Sequence, residues 1–354
     1  MDEPTARPAR RARGVRLRGW GGVLAMALAC ALATTLVLLL PLTLPQRGAG
    51  GSAERPAAGA SSTVAHGTQA EAQACASDVP GKEPERSLKP SASESGAAVR
   101  AIKDRGYLSV GVDQNSYGWG YRDPNNTSKS SELEGFDIDL AHEIAGKILG
   151  DRNAIRFHAI PTNERIPAIQ RGEVDIVVRT MTIDCARLKD VAFSTAYFQT
   201  GQQVLAPKAS TITGYDDSLA GKRICSAKGS TALAALKDDH ASGKLPASAD
   251  ISTTVPNQLD CLVRLQLGEV DAVVTDGALA ASQAAQDPTV ELKGKPFTKE
   301  FYGVAMKKGA DDLVRRVNQV LEDYRGDGGW QKSYDKWLEQ DLGPSSGPPA
   351  PKYK

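Results

Sequence analysis

The chain has 354 residues, of which 41% are hydrophobic and 24% charged, and its formal net charge is +1. That length accommodates two domains of ordinary size, and the near-neutral balance excludes a globally basic nucleic-acid binder. Six arginines (Arg7, Arg10, Arg11, Arg13, Arg16, Arg18) precede a nearly unbroken apolar run from about Val23 to Leu44. Roughly 20 apolar residues span a bilayer as a helix, about twice the length of a cleavable signal core. The spacing predicts a single transmembrane helix over 22–45 as an uncleaved anchor, with 1–21 on the cytoplasmic side and the rest outside. A long signal peptide is the alternative. Cys30 sits in a loose lipobox (MALAC), but the apolar run continues past it and Ala27 suits that motif poorly. Residues 46–95 are rich in Gly, Ala, Ser, Pro and Glu, which predicts a disordered tether, and residues 343–354 read as a tail of the same kind.

Between about 96 and 342 strand and helix patterns alternate, which implies α/β architecture with a mostly parallel sheet. Leu108–Asp113 is a strand, and GFDIDLAHEIAGKIL opens a helix with Asp137 near its start and Phe136, Leu140, Ile144 and Leu149 on one face. Ala154–Ile160 is a second strand, ERIPAIQRGE a short helix, and Val174–Val178 a buried strand. After VAFSTAYF the pattern restarts, and RGEVDIVVRTMT is echoed by LGEVDAVVTDGA. Two similar lobes are implied, 96–199 and 200–301, with Phe301–Lys308 a strand leaving the second. Helices over 302–342, with a stripe through Leu313, Val317, Val320, Leu321 and Tyr324, return to the first. A chain that crosses twice between lobes makes a hinged cleft.

In open α/β sheets ligands bind beyond the carboxyl ends of strands. Two hydroxyls, Thr180 and Thr182, and then Arg187 follow Val178. A guanidinium fork with hydroxyls suits a small carboxylate, and a solvated arginine after a core strand is the plainer alternative. Four cysteines besides Cys30 fit an exported domain. Cys225 and Cys261, both in the second lobe, are expected to pair, and Cys75 with Cys185 is the further pairing. Two free thiols are the alternative. No P-loop, HExxH or CxxC occurs, so neither a cofactor nor a metal is expected.

Over nearly the whole folded part the sequence resembles the extracytoplasmic amino-acid-binding proteins (solute-binding family 3) of ABC importers. The motifs are GFDIDLA, GEVDIVVRTMTI…R, VAFSTAYF, GKRICSAKGST, GEVDAVVTD, FYGVAMKK and DGGWQKSYDKWL, in this order. The glutamate/aspartate and glutamine types are the nearest in look, and relatives carry cysteines at positions like Cys225 and Cys261. The resemblance implies a two-lobed periplasmic-binding-protein-like (type II) fold, an amino-acid ligand, and delivery of it to an ABC-importer permease rather than catalysis. It assigns Arg187 to the ligand α-carboxylate, with Thr180 and Thr182 beside it, and Ser230 and Thr231 at a helix start to the same carboxylate. Asp276 takes the α-ammonium, although from its own position it reads more simply as a helix N-cap. Arg165, with Thr162 near it, matches the arginine that reaches a side-chain carboxylate, and a helix-surface arginine is the alternative. Asp113 stands where some acidic-amino-acid binders have another arginine, which makes the distal pocket less basic. Tyr117 and Trp119 lie where the family often covers its ligand with an aromatic ring. A glutamate or aspartate ligand is expected. A sensor signalling through a membrane partner, or a cyclohexadienyl-dehydratase-like enzyme on the same fold, are the competing readings.

Overall fold

The computed structural model describes residues 83–123 and 132–354. The expected transmembrane helix 22–45, most of the expected tether, and Cys30 and Cys75 lie outside these residues. Among the described residues no helix is long and apolar enough to cross a membrane.

Leu108–Val112 (β1) is buried along its whole length, as a strand covered on both faces must be. Ala97–Arg105 (α1) precedes β1, and Asn115–Ser116 (β2), Gly120–Arg122 (β3) and Leu133–Glu134 (β4) after it form a small antiparallel sheet. Ile155–Ala159 (β5) and Ile176–Val177 (β6) pair with β1 in parallel. Phe136–Leu149 (α2) follows Gly135 and ends at Gly150, which takes the left-handed conformation that glycine adopts without steric cost. Val191–Phe193 (β7) and Ala305–Lys307 (β15) complete a five-stranded sheet of order β5-β1-β6-β15-β7. The second sheet has order β11-β10-β12-β9-β13. It contains Gln202–Pro207 (β9), Arg223–Ala227 (β10), Asp250–Val255 (β11), Ala272–Asp276 (β12) and Val290–Lys293 (β13). In each sheet four of the five strands run in one direction, as expected, and one is reversed: β15 runs antiparallel to β6 and β7, and β9 antiparallel to β12 and β13. Returning strands need no crossover helix, and the helix–strand pattern read from the sequence does not register them.

Two strands connect the sheets. Phe198–Thr200 (β8) leads from β7 into β9, and Glu300–Tyr302 (β14) leads from β13 back into β15; they pair antiparallel, Thr200 opposite Glu300. The expected single strand Phe301–Lys308 is therefore two. It breaks at Gly303, where an added Cβ would stand 2.7 Å from Cδ1 of Ile183, so a larger residue there would have to displace that side chain.

Asp311–Gly326 (α7) buries Leu313, Val317, Val320, Leu321 and Tyr324 against the first sheet's helices, each side chain contributing about 1.5–3 kcal/mol. Trp330 and Tyr334 of Gly329–Trp337 (α8) join Phe136, Phe198, Tyr302 and Trp119 in one aromatic cluster.

The described ends differ from the unstructured segments expected over 46–95 and 343–354. Ser87 pairs with Tyr353 as a short parallel bridge. Lys352 Nζ reaches Glu83 at 2.6 Å and Glu85 at 2.8 Å, and Tyr353 donates its hydroxyl to Glu322 at 2.6 Å. Asn318, wholly buried, donates to Ser87 Oγ at 2.9 Å and Leu88 O at 2.6 Å. A segment too polar to build a core can still dock on one once its backbone groups find partners.

Cys225 on β10 and Cys261 on the helix Gln258–Gln266 (α5) form a disulfide. Cys185 is disulfide-bonded as well; its expected partner, Cys75, lies outside the described residues.

Candidate functional site

The chain leaves β6 into Arg179, Thr180, Met181 and Thr182, all buried. Thr180 has φ of 40°, a left-handed conformation that costs a β-branched residue on the order of 1–3 kcal/mol. Asp137 holds it there. One carboxylate oxygen accepts the Thr180 N–H at 2.9 Å and the other accepts the Tyr197 hydroxyl at 2.8 Å. Asp137 lies in the first turn of its helix, as expected, and its side chain faces the cleft loop instead of capping. Burial raises its pKa to about 7 against the lowering effect of those hydrogen bonds.

Arg187 follows on a short 3-10 turn, Arg187–Lys189. Its guanidinium donates to Thr182 O at 2.7 Å and to Gly229 O at 3.1 Å, and its Nε lies 3.2 Å from Asp184 Oδ2. Arg165, at the start of Arg165–Gln170 (α3), is buried rather than on the helix surface. It donates to Thr162 O at 2.9 Å, Arg179 O at 3.2 Å and Gly229 O at 3.4 Å. Its three acceptors are neutral carbonyls. Burial, then the nearby Arg187 and Arg179 charges, push its pKa down, while Asp276 works against them. A third arginine, Arg179, is fully buried and ion-paired with Asp113 at 2.8 Å. Asp113 therefore neutralises Arg179 behind the cleft.

The second sheet brings its groups to the same place. Gly229 (φ +78°) supplies the carbonyl that both Arg165 and Arg187 reach, and an added Cβ would stand 2.9 Å from Asn163 Cα across the cleft. Ser230 caps Thr231–Ser242 (α4): its hydroxyl accepts the Leu233 N–H at 3.1 Å and donates to Ala227 O at 2.7 Å. The hydroxyl expected at the carboxylate is thus spent on the helix itself. Thr231 donates to Glu300 Oε2 at 2.9 Å.

Asp276 ends β12 and stands at the N-cap position of Gly277–Gln286 (α6) without a side-chain cap bond. Its carboxylate accepts from Gln202 Nε2 at 2.8 Å instead. Burial, then the Glu300 carboxylate, raise its pKa well above the carboxylate range, while Arg165 and Arg187 oppose this.

The structure thus gathers Arg165, Arg187, Thr182, Thr231 and Asp276 from both sheets around one cleft. Thr162 joins their rim. It accepts from Arg179 at 3.0 Å and donates to Gln258 Oε1 at 3.0 Å, while its N–H reaches Pro256 O at 3.1 Å. Thr180 borders the cleft through its backbone. Tyr117 stands apart, 38% exposed, with its ring 5.1 Å from Tyr121, lining a crevice with Leu259 and Leu279. Trp119 is fully buried between Phe136, Phe198 and Tyr302, so it packs the core.

Sequence reasoning missed Glu300, Gln202, Arg179 and the true role of Asp137. Arg179 directly follows the Val174–Val178 run, so the strand-end rule that selected Thr180 covers it too. Glu300 lies inside a connecting strand, where no pattern marks it.

Residues 108–340 match the family described as bacterial extracellular solute-binding proteins, family 3. The ABC transporter glutamine-binding protein GlnH of Bacillus subtilis is 35% identical over 243 residues, which covers 69% of this chain and 85% of that protein. Glutamate-binding protein GluB of Corynebacterium efficiens is 28% identical over 268 residues, covering 72% of this chain and 85% of that one. Among solved structures, an ancestral arginine-binding protein bound to glutamine matches with a TM-score of 0.57 and 34% identity, over 68% of this chain and 99% of the other. The periplasmic-binding-protein-like α/β fold and these relatives agree: the chain belongs to the bacterial extracellular solute-binding proteins, family 3.

Proposed function

We propose that the cleft binds a free, polar α-amino acid, its α-carboxylate against Arg187 and Thr182 and its α-ammonium against Asp276, for delivery to an ABC importer. The observation that carries this reading is that Arg187 and Asp276 are both buried and come from opposite sheets. Arg187 meets Asp184 only through Nε and Asp276 has no cationic contact among the described residues, so a zwitterion supplies each with a partner, and an unmatched buried charge costs about 3–5 kcal/mol. Thr231 at the start of α4 adds a donor beside the carboxylate. Binding favours the closed state, with β8 and β14 as the connections that flex. The division into lobes 96–199 and 200–301, with 302–342 returning to the first, belongs to the same proposal.

For the side chain of the ligand, an acidic group is supported by Arg165, whose guanidinium contacts only carbonyls. A glutamine ligand is the second reading. Glu300 puts another carboxylate in the same cleft, and GlnH carries glutamine in its name. Calorimetric titration of the full chain with the twenty amino acids tests the proposal. Micromolar or tighter binding of glutamate, aspartate or glutamine is expected, and no binding by any amino acid overturns it. We further propose that residues 22–45 anchor the chain with the binding domain outside the cell, on the strength of the arginine run before that segment. Release of the protein from washed membranes at alkaline pH refutes the anchor.

A further inference from the structure

Besides Asp276, which the proposed α-ammonium meets, two charged groups in the cleft have no oppositely charged contact among the described residues. One is Arg165. The other is Glu300, 9% exposed, whose carboxylate accepts from Thr182 Oγ1 at 2.6 Å, Thr231 Oγ1 at 2.9 Å, Gln202 Nε2 at 3.0 Å and Thr298 Oγ1 at 3.3 Å. All four donors are neutral. Gln202 Nε2 also donates to Asp276 at 2.8 Å, so a single amide links the two carboxylates. Thr182 precedes Arg187 on the first lobe, and Thr231 opens α4 on the second. Glu300 therefore sits between the α-carboxylate and α-ammonium subsites on a strand that joins the lobes.

We propose that Glu300 is a specificity-determining residue that offsets the Arg165 charge and thereby sets how strongly the cleft prefers an amide to an acidic ligand side chain. The inference rests on the amino-acid-binding reading above. In a buried site an uncompensated charge acts over several ångströms, because little water screens it. With Glu300 and Arg165 both present, the charges that the ligand's α-groups do not meet are balanced, and a neutral amide is tolerated. Removing the Glu300 charge leaves Arg165 unopposed, which favours glutamate. Removing the Arg165 charge leaves Glu300 unopposed, which favours glutamine. Removing both returns the balance.

The test is calorimetric titration of the full chain with glutamate and with glutamine, read as the ratio of the two Kd values. Glu300→Gln is expected to move the ratio about tenfold toward glutamate, and Arg165→Met to move it by a similar factor toward glutamine. The double variant should lie near the parent ratio. Thr231→Val, which removes a donor to Glu300 but no charge, should weaken both ligands by the same factor and leave the ratio unchanged. Glu300→Ser supplies the same loss of charge without an amide, should Glu300→Gln not fold. A Glu300 variant that weakens both ligands equally, or shifts toward glutamine, overturns the inference while leaving the binding reading intact. A parent chain that binds neither ligand overturns the binding reading, and this inference with it.

Discussion

Asp276→Asn is the substitution for which ligand affinity and unliganded stability should change in opposite directions. The amide is isosteric, its oxygen still accepts from Gln202 Nε2, and no cap bond is lost, because Asp276 makes none. What disappears is the only charge proposed to meet the α-ammonium. A buried ammonium without its partner costs about 3–5 kcal/mol, which corresponds to a Kd raised about 10²- to 10⁴-fold. Without ligand the sign reverses. Burial and Glu300 raise the Asp276 pKa in the folded state, so the folded chain holds that proton more tightly than the unfolded one. Stability from this group is present below the ordinary carboxylate range and is lost as pH rises above it. Asparagine has no such loss, so the unliganded variant should melt at or above the parent temperature at pH 7. Calorimetric titration and differential scanning calorimetry read the two effects on one sample. A Kd within tenfold of the parent, or a Tm several degrees below it, refutes the reasoning.

Asp137→Asn should flatten the pH dependence of stability. The Asp137 pKa is raised from 3.8 to about 7, so the parent loses up to about 4 kcal/mol from this group between pH 4 and pH 7; identical pH profiles for parent and variant in urea unfolding count against it. Replacing Cys225 and Cys261 together by alanine opens a loop spanning 36 residues, which loop-closure entropy puts at about 4 kcal/mol. A urea midpoint that does not fall contradicts that. Deleting residues 352–354 removes the two backbone bonds to Ser87, each 2.9 Å, and the Tyr353–Glu322 contact. At about 0.5–1.5 kcal/mol each, Tm should drop by several degrees with amino-acid affinity unchanged, and an unaltered Tm shows that the ends are not held in solution.

The parts of this molecule legible in its sequence are those with local causes. Val174–Val178 and Leu108–Val112 are apolar runs because both faces of a sheet are covered. Thr180, Thr182 and Arg187 stand out because they follow such a run. The β15 return was readable as a strand, but its antiparallel partners were not, because pairing direction is decided by where the chain comes back. Asp276 illustrates a residue whose local reading and tertiary role diverge. It does occupy an N-cap position, yet its carboxylate goes to Gln202, seventy-four residues away in sequence. Asp137 is similar, since its position in the first turn of α2 suggests capping, while Thr180 and Tyr197 claim its oxygens. Glu300 was invisible because its neighbours, Thr182, Thr231 and Gln202, come from three separate segments. Tyr117 and Trp119 lie where the family often covers its ligand with a ring, and of the two the core took Trp119.

The requirement for both ends of a zwitterion is most directly tested by titrating the full chain with the preferred amino acid and two analogues. One analogue lacks the α-ammonium and the other the α-carboxylate. If Arg187 and Asp276 hold the two groups, each analogue should bind at least about a hundredfold more weakly than the amino acid. An analogue that binds within a few-fold of the amino acid contradicts the assignment of the group it lacks.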